Sequence, residues 1–344
     1  MKVIVDAFGG DNAPLEILKG CAQAVHSLGL EIILTGRKET IDHVARENAI
    51  SMDHMEIVDC PDVMSMNDAG TDILRAGKNS SMAVGLKLLA KGEGDAFLTA
   101  GNSGAVTVGA TFLVKRIKGI KRIAFAPVMP CKKGFFMLID GGANVDCKPE
   151  MLKQFGVMGS IYMQKVMHVS NPRVSLLNVG TEEHKGGDLQ HGAYALLKDS
   201  PLNFVGNTEA RDVPDGITDV LVADGFSGNV FLKSFEGTAM MIMSMFKGVL
   251  TKSVKNKLAA AMVLGDLKGL KKTMDYNEYG GAPLLGCTKP VFKAHGSAEA
   301  KTFYNALRLT KSYVEGNVTE EIAKSVAAYK DEEDTEASET EAAE

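Results

Sequence analysis

The sequence predicts an α/β fold in which a doubly wound, mostly parallel sheet carries helices on both faces. Three observations predict it. Short continuous apolar runs suit strands buried on both sides. Patterns with apolar residues three and four apart follow these runs, and strand and helix keep alternating. Four runs end in small clusters of Gly, Asn, Ser and Asp where the next helix begins, a place at which backbone N–H groups turn toward an anion.

The first strand is Lys2–Val5, leading into Gly9-Gly10-Asp11. A helix from Pro14 to about Leu28 follows, with proline at an early helical position and Leu15, Leu18, Ala22 and Val25 at helical spacing. Strands are expected at Ile32–Leu34 and Glu56–Val58, and a helix at Ser80–Lys91 with Ser80 or Ser81 as its cap. Ala96–Thr99 runs into Gly101-Asn102-Ser103-Gly104 and a helix reaching about Lys118. Next come strand Phe135–Asp140, helix Pro149–Val166, strand Val174–Asn178 before Val179-Gly180-Thr181, helix Leu189–Lys198 and short strand Phe204–Val205. Strand Val220–Ala223 meets Asp224-Gly225-Phe226-Ser227-Gly228-Asn229, and a long helix starts near Val230. In such an architecture ligands sit beyond the carboxyl ends of the strands, where all four polar loops would converge.

Residues 237–275 break the alternation. The stretch Met240-Met241-Ile242-Met243-Ser244-Met245-Phe246 runs into Leu250, Val254, Leu258, Ala261 and Met262, spaced three and four apart, among Lys247, Lys252, Lys255, Lys257, Lys268, Lys271 and Lys272. Gly265 and Gly269 would end or bend the helix, so a protruding helical hairpin is expected. Such a basic, methionine-rich face suits either an anionic membrane or partner, or packing into the core or a dimer interface.

Hydrophobic residues at 45% and charged ones at 24% provide ample core for one large domain over residues 1–330. The net charge of −5 misleads, because the last fourteen residues hold eight acids and no base; residues 1–330 alone carry +3. The segment 331–344 therefore reads as a disordered acidic tail, and the mildly basic body falls short of a nucleic-acid signature. Five scattered cysteines without metal-ligand spacing read as reduced thiols, which points to the cytoplasm. No secretory signal is expected, and no segment approaches the ~20 apolar residues that span a bilayer.

Several familiar signatures fail. The first loop lacks G-x-G-x-x-G and Thr35-Gly36-Arg37 lacks the acid that binds an adenosine ribose, so a dinucleotide site is disfavoured. Gly77-Lys78 misses both the first glycine and the Ser or Thr of a phosphate loop. Ser103 and Ser227 lack the final glycine of a nucleophile elbow, and read as anion ligands or helix caps. Denser polar groups lie in Asp140–Glu150, with Asn144, Asp146 and Lys148, and in Asn178–Gly187, where Lys185 would reach a phosphate. Arg211, beside Glu209 and Asp212, either clamps a phosphate or pairs with an acid. His184 and His191 read as surface residues, and Cys147 as a buried thiol without an activating base. Residues 279–286 and Ala294-His295-Gly296-Ser297 read as glycine-rich loops, the latter with a histidine that invites a functional role.

Taken together, Asp6–Asp11, Ala100–Gly104, Gly142–Asp146, Asn178–Glu182, Glu209–Asp212, Asp224–Val230 and His295–Ser297 closely resemble the bacterial acyl-ACP:phosphate acyltransferase (PlsX) family. Seven blocks in order across nearly the whole chain make the resemblance specific. Phe8 stands where the family commonly has methionine, and Ser103 and Ser227 where it has threonine. The resemblance implies transfer of a long acyl chain from acyl carrier protein to inorganic phosphate without a cofactor. It also implies a fold like isopropylmalate dehydrogenase and phosphotransacetylase, a homodimer, and peripheral attachment to the membrane that holds a downstream glycerol-phosphate acyltransferase. On this reading Asn102, Ser103, Gly104, Ser227 and Asn229 bind phosphate, Lys185 neutralises it, and His295 protonates the departing thiolate. Asn144, Asp146, Asn178, Arg211 and Asp224 complete the substrate site, with Asp146 and Asp224 orienting neighbours rather than holding metal. Val254, Lys255 and Leu258 would touch the membrane.

Overall fold

In the computed structural model, which describes residues 1–263, Gly265 and 280–328, the strands divide between two mostly parallel sheets. The first has seven strands. Its parallel part joins β1 (Lys2–Asp6), β2 (Glu31–Gly36), β3 (Met55–Asp59), β4 (Ala96–Thr99) and β12 (Val291–Ala294) in the order β3-β2-β1-β4-β12. Antiparallel β11 (Gly281–Leu285) and β5 (Ala124–Phe125) complete it. The second sheet runs β6-β7-β10-β8-β9, built from β6 (Val128–Cys131), β7 (Gly134–Ile139), β8 (Val174–Asn178), β9 (Phe204–Glu209) and β10 (Val220–Val222), with only β6 antiparallel.

Strands and helices form where the apolar periods put them. All four residues of β4 and of β12 are buried, the pattern of strands covered on both faces. Helix α1 (Leu15–Leu28) turns Ile17, Leu18, Cys21 and Ala24 inward and ends at Gly29, whose φ of 64° is left-handed. After helix α2 (Lys38–Glu47), helix α3 (Ser81–Lys91) starts from Ser80, whose hydroxyl accepts from the Ala83 N–H. Helix α4 (Ser103–Gly109) continues as a π-helical turn over Ala110–Val114, so the expected helix stops short of Lys118. One continuous core takes Val3 and Leu98 from the first sheet together with Ile139, Val174 and Val220 from the second.

Several boundaries differ from expectation for identifiable reasons. Residues 281–285, part of the segment 279–286 read as a glycine-rich loop, form β11 because their backbone pairs with β12 on one side and β5 on the other. Helices α5 (Pro149–Lys165) and α6 (Asp188–Lys198) lie close to expectation, whereas the long helix α7 (Gly225–Thr251) begins before Val230, because the Asp224 carboxylate accepts from the Ser227 N–H and caps it. The glycines of this block serve close packing: a Cβ on Gly228 would sit 1.9 Å from the Asp140 carbonyl, and one on Gly225 2.4 Å from that of Asn144.

Helix α7 buries only Gly225, Gly228 and Leu232, and helix α8 (Val254–Met262) buries nothing. Val254 and Leu258 are 75% and 65% exposed, so the apolar stripe of the hairpin does not pack into the core of its own chain. Residues 264 and 266–275 of the expected hairpin, and the acidic tail 331–344, lie outside the described residues. Among the described residues no helix is long and apolar enough to cross a membrane.

Candidate active site

The carboxyl ends of strands from both sheets face each other across a cavity of about 540 Å³, within the ~300–1,000 Å³ typical of ligand sites. After β4 come Ser103 and Gly104, after β7 come Gly141, Gly142 and Ala143, and after β12 come His295, Gly296 and Ser297. Helix α7 contributes Asn229, Lys233 and Glu236, and the first loop contributes Asp11. Val106, Val108, Val128, Met129, Leu232 and Phe235 make an apolar wall.

Ser103 and Gly104 are the first residues of α4, whose leading N–H groups have no intrahelical acceptor. Asn102 does not face the cavity. Its Oδ1 accepts from the Ala105 N–H at 3.0 Å, and its Nδ2 donates to the carbonyls of Ser65, Met66 and Asp68, fastening the 65–68 segment beside the cavity.

Lys293 was not singled out by the sequence, yet it lies buried in β12 with its side chain on the cavity. Its Nζ donates to the Ala100 carbonyl at 3.1 Å and also to that of Ala294. Burial lowers its pKa to about 8, with Lys233 acting in the same sense and Asp11 and Asp6 opposing. Beneath it Asp6 is buried, accepting from Ser81 Oγ at 2.6 Å and from Thr99 Oγ1 at 2.7 Å. Burial raises the Asp6 pKa against those hydrogen bonds and the Lys293 charge. The signal for Lys293 was a lone lysine in the otherwise apolar run Val291-Phe292-Lys293-Ala294.

His295 Nδ1 lies 2.8 Å from Ser297 Oγ and accepts the Ser297 N–H at 3.3 Å. That contact assigns the proton of the neutral ring to Nε2. Partial enclosure lowers its pKa, Glu236 opposing and Lys233 adding to the effect. The lowered pKa favours the neutral ring at pH 7.

Asp140 organises the opposite side. Its Oδ1 accepts from the N–H groups of Phe125, Gly142 and Ala143, and its Oδ2 from the N–H and side chain of Asn144. Asn144 also donates to the Ile123 carbonyl at 2.7 Å, so it holds the loop rather than the cavity. Asn229 donates to the Gly141 carbonyl at 3.1 Å and lines the cavity above that loop. Asp224 and Ser227 are joined in the cap of α7 and do not line it. Asp146 is exposed outside it. Burial pushes the Cys147 thiol up to about 11, which leaves it a poor nucleophile.

A second polar cluster gathers at the ends of β8 and β9, away from the cavity lining. Asn178 donates to the Lys185 carbonyl at 3.0 Å, Lys185 Nζ lies 3.9 Å from Glu182, and Arg211 pairs with Glu209 at 2.6 Å. Three of the four polar loops thus reach the cavity, and the one after β8 does not. Strand β10 stands between β7 and β8, which moves that loop one strand spacing, ~4.8 Å, further out.

Comparison with known proteins agrees with this architecture. The family described as fatty acid synthesis protein matches residues 1–321. Phosphate acyltransferase of Thermoanaerobacterium thermosaccharolyticum is 46% identical over 326 residues, covering 95% of this chain and 97% of that protein. The Oceanobacillus iheyensis phosphate acyltransferase is 47% identical over 328 residues, with 95% and 97% covered. Among solved structures, a phosphotransacetylase from Streptococcus pyogenes superposes with a TM-score of 0.61 at 16% identity, over 91% of this chain and 94% of that one. The EutD phosphotransacetylase of Staphylococcus aureus gives 0.60 at 15% identity and the same coverage. At that identity the structural likeness speaks for the fold, and the sequence relatives speak for the class of enzyme. The chain belongs to the PlsX family of phosphate acyltransferases and is an acyltransferase of fatty acid synthesis.

Proposed function

We propose that the enzyme moves a long-chain fatty acyl group from the thioester of acyl carrier protein to inorganic phosphate, giving an acyl phosphate for phospholipid synthesis. The observation that carries this reading is a single cavity with two kinds of wall. Its lining combines Lys293, Ser103 and Gly104 at the start of α4, and Asn229 across from them, with the apolar Val106, Val108, Met129 and Phe235. An anion and an alkyl chain can lie there side by side, the arrangement that positions phosphate against a thioester carbonyl.

Hydrogen phosphate needs little activation. Its oxygen attacks the carbonyl carbon, a C–O bond forms, the C–S bond breaks, and the proton of hydrogen phosphate ends on the departing thiolate. Lys293, cationic below about pH 8, neutralises the incoming phosphate. In this reading the Nε2–H of neutral His295 donates to the tetrahedral oxyanion, supported by the Ser297 N–H held on Nδ1 and by the lowered pKa of the ring. No covalent enzyme intermediate is required.

The reading extends to surroundings. A homodimer, residence in the cytoplasm and contact of Val254, Lys255 and Leu258 with the membrane fit the exposed stripe of α7 and α8 and a product destined for a membrane acyltransferase. Lys185 and Arg211 keep a substrate role only if the carrier's arm also reaches the second polar cluster. The test is incubation with long-chain acyl carrier protein and phosphate, followed by trapping with hydroxylamine. Acyl hydroxamate that requires phosphate is expected; thioester loss that ignores phosphate would sink the reading, and preference for acyl-CoA would reassign the donor.

A further inference from the structure

Helix α4 has a second end. From the cavity it runs through Thr107 and Val108 to Thr111, Phe112 and Lys115, beside which five cations fall within eight residues: Lys115, Arg116, Lys118, Lys121 and Arg122. All five are exposed, and no acid interrupts them. Buried Ile117 and Ile120 anchor the segment from below and turn the charges outward. The backbone is fixed as well, since Ile117 N–H donates to the Gly286 carbonyl at 2.9 Å and Thr288 N–H to that of Lys115 at 3.0 Å. Among the described residues only Lys121 of the five has an ion-pair partner, Glu150 at 3.7 Å. Phe112 stands beside them with 63% of its surface exposed.

We infer that this face is where the donor docks: an acidic carrier protein whose acyl chain hangs on a flexible thioester arm. The inference rests on the acyl-transfer reading and adds to it the place of the partner. Charge complementarity selects the partner, and geometry selects the place. The twelve helical residues from Ser103 to Val114 span ~18 Å at the usual rise. A phosphopantetheine arm has the reach of about five extended residues, also ~18 Å. A carrier seated on Lys115, Lys118 and Arg122 therefore delivers its thioester to the Ser103 end of the cavity, with Phe112 as the apolar centre of the contact.

The experiment compares full-length wild type with the triple variant Lys115→Glu, Lys118→Glu, Arg122→Glu on two donors, long-chain acyl carrier protein and acyl-pantetheine, which lacks the protein. The variant is expected to raise KM for the carrier-borne donor by about tenfold and to flatten its salt dependence, while turnover of acyl-pantetheine stays within about twofold. Phe112→Ser should weaken the carrier-borne donor alone as well. An unchanged KM for acyl carrier protein overturns the proposal, and so does loss of binding to phosphatidylglycerol vesicles with the carrier KM unaffected, which would assign the face to lipid. Anisotropy of fluorescent holo-carrier protein reads docking without turnover. Wild type that binds the carrier through these residues yet transfers nothing would instead defeat the acyl-transfer reading.

Discussion

The Nζ of Lys293 reaches 3.1 Å across to the carbonyl of Ala100, tying the end of β12 to the end of β4 where the α4 cradle begins. The same ammonium lies on the cavity, so one buried cation both joins two strands and charges the site. Replacing it with methionine keeps the stem and removes the charge. Lys293→Met is expected to lower kcat/KM for phosphate by ~10²-fold or more while the far-UV circular dichroism is preserved. Full activity in a folded variant would remove Lys293 from the phosphate site.

Lys293 also sets opposite pH trends for turnover and stability. Its folded pKa of about 8 is below lysine's ordinary 10.5. Turnover should fall as pH rises through about 8, because the cation is lost. Between that value and 10.5 the unfolded chain binds the proton more tightly, so the stability contribution of Lys293 rises with pH over the same window. Urea titrations of wild type and Lys293→Met at about pH 7 and about pH 10 should converge at the higher pH.

With His295 in the oxyanion-donor role proposed above, His295→Ala is expected to cut kcat by ~10²-fold with little change in KM for phosphate. A matching rise in KM, with kcat intact, would make His295 a ground-state ligand. Its lowered pKa adds that kcat should not fall as pH drops from 8 to 7, since the ring stays neutral there.

Asp140 gathers donors from Phe125, Gly142, Ala143 and Asn144. Asp140→Ala strands them in a buried loop and should destabilise the protein by about 3 kcal/mol. Asp140→Asn, which keeps one acceptor, should lose less. The check is chemical denaturation, in which equal losses for the two variants would speak against this account.

Replacing Val254 and Leu258 with glutamate places charge on the exposed hairpin face. Sedimentation with anionic vesicles should fall by about tenfold, and acyl transfer in detergent should be unaffected. Unchanged sedimentation would mean that this stripe does not serve the membrane.

Much of the fold was legible because apolar periodicity is local. Strand Val174–Asn178 and helix Pro149–Lys165 follow it almost residue for residue. What escaped depends on partners far along the chain. Gly281–Leu285 becomes a strand through pairing with residues near 124 and 294, which glycines and a proline conceal. Ser103, Asn229 and His295 stood out as polar residues, and Gly104 as a glycine, near element ends, and all four line one cavity. Lys293 escaped because Val291–Ala294 was not expected to be a strand, and only its pairing with β4 and β11 and the burial of all four residues show both faces covered. Lys185 drew attention as a lysine in a polar loop, and nothing in the local pattern placed that loop beyond β10 rather than beside it.

The order of the strands carries a consequence for biosynthesis. Strand β12, with Lys293 and the His295 turn behind it, enters the first sheet beside β4 only after the whole second sheet has been made. While the nascent chain grows, β4 offers an unpaired flank, and folding must wait for a long-range closure that is slow by its nature. A truncated product ending before Val291 would present that sticky flank and lack the buried ammonium. Copies cut short there are therefore expected to be inactive and prone to aggregate.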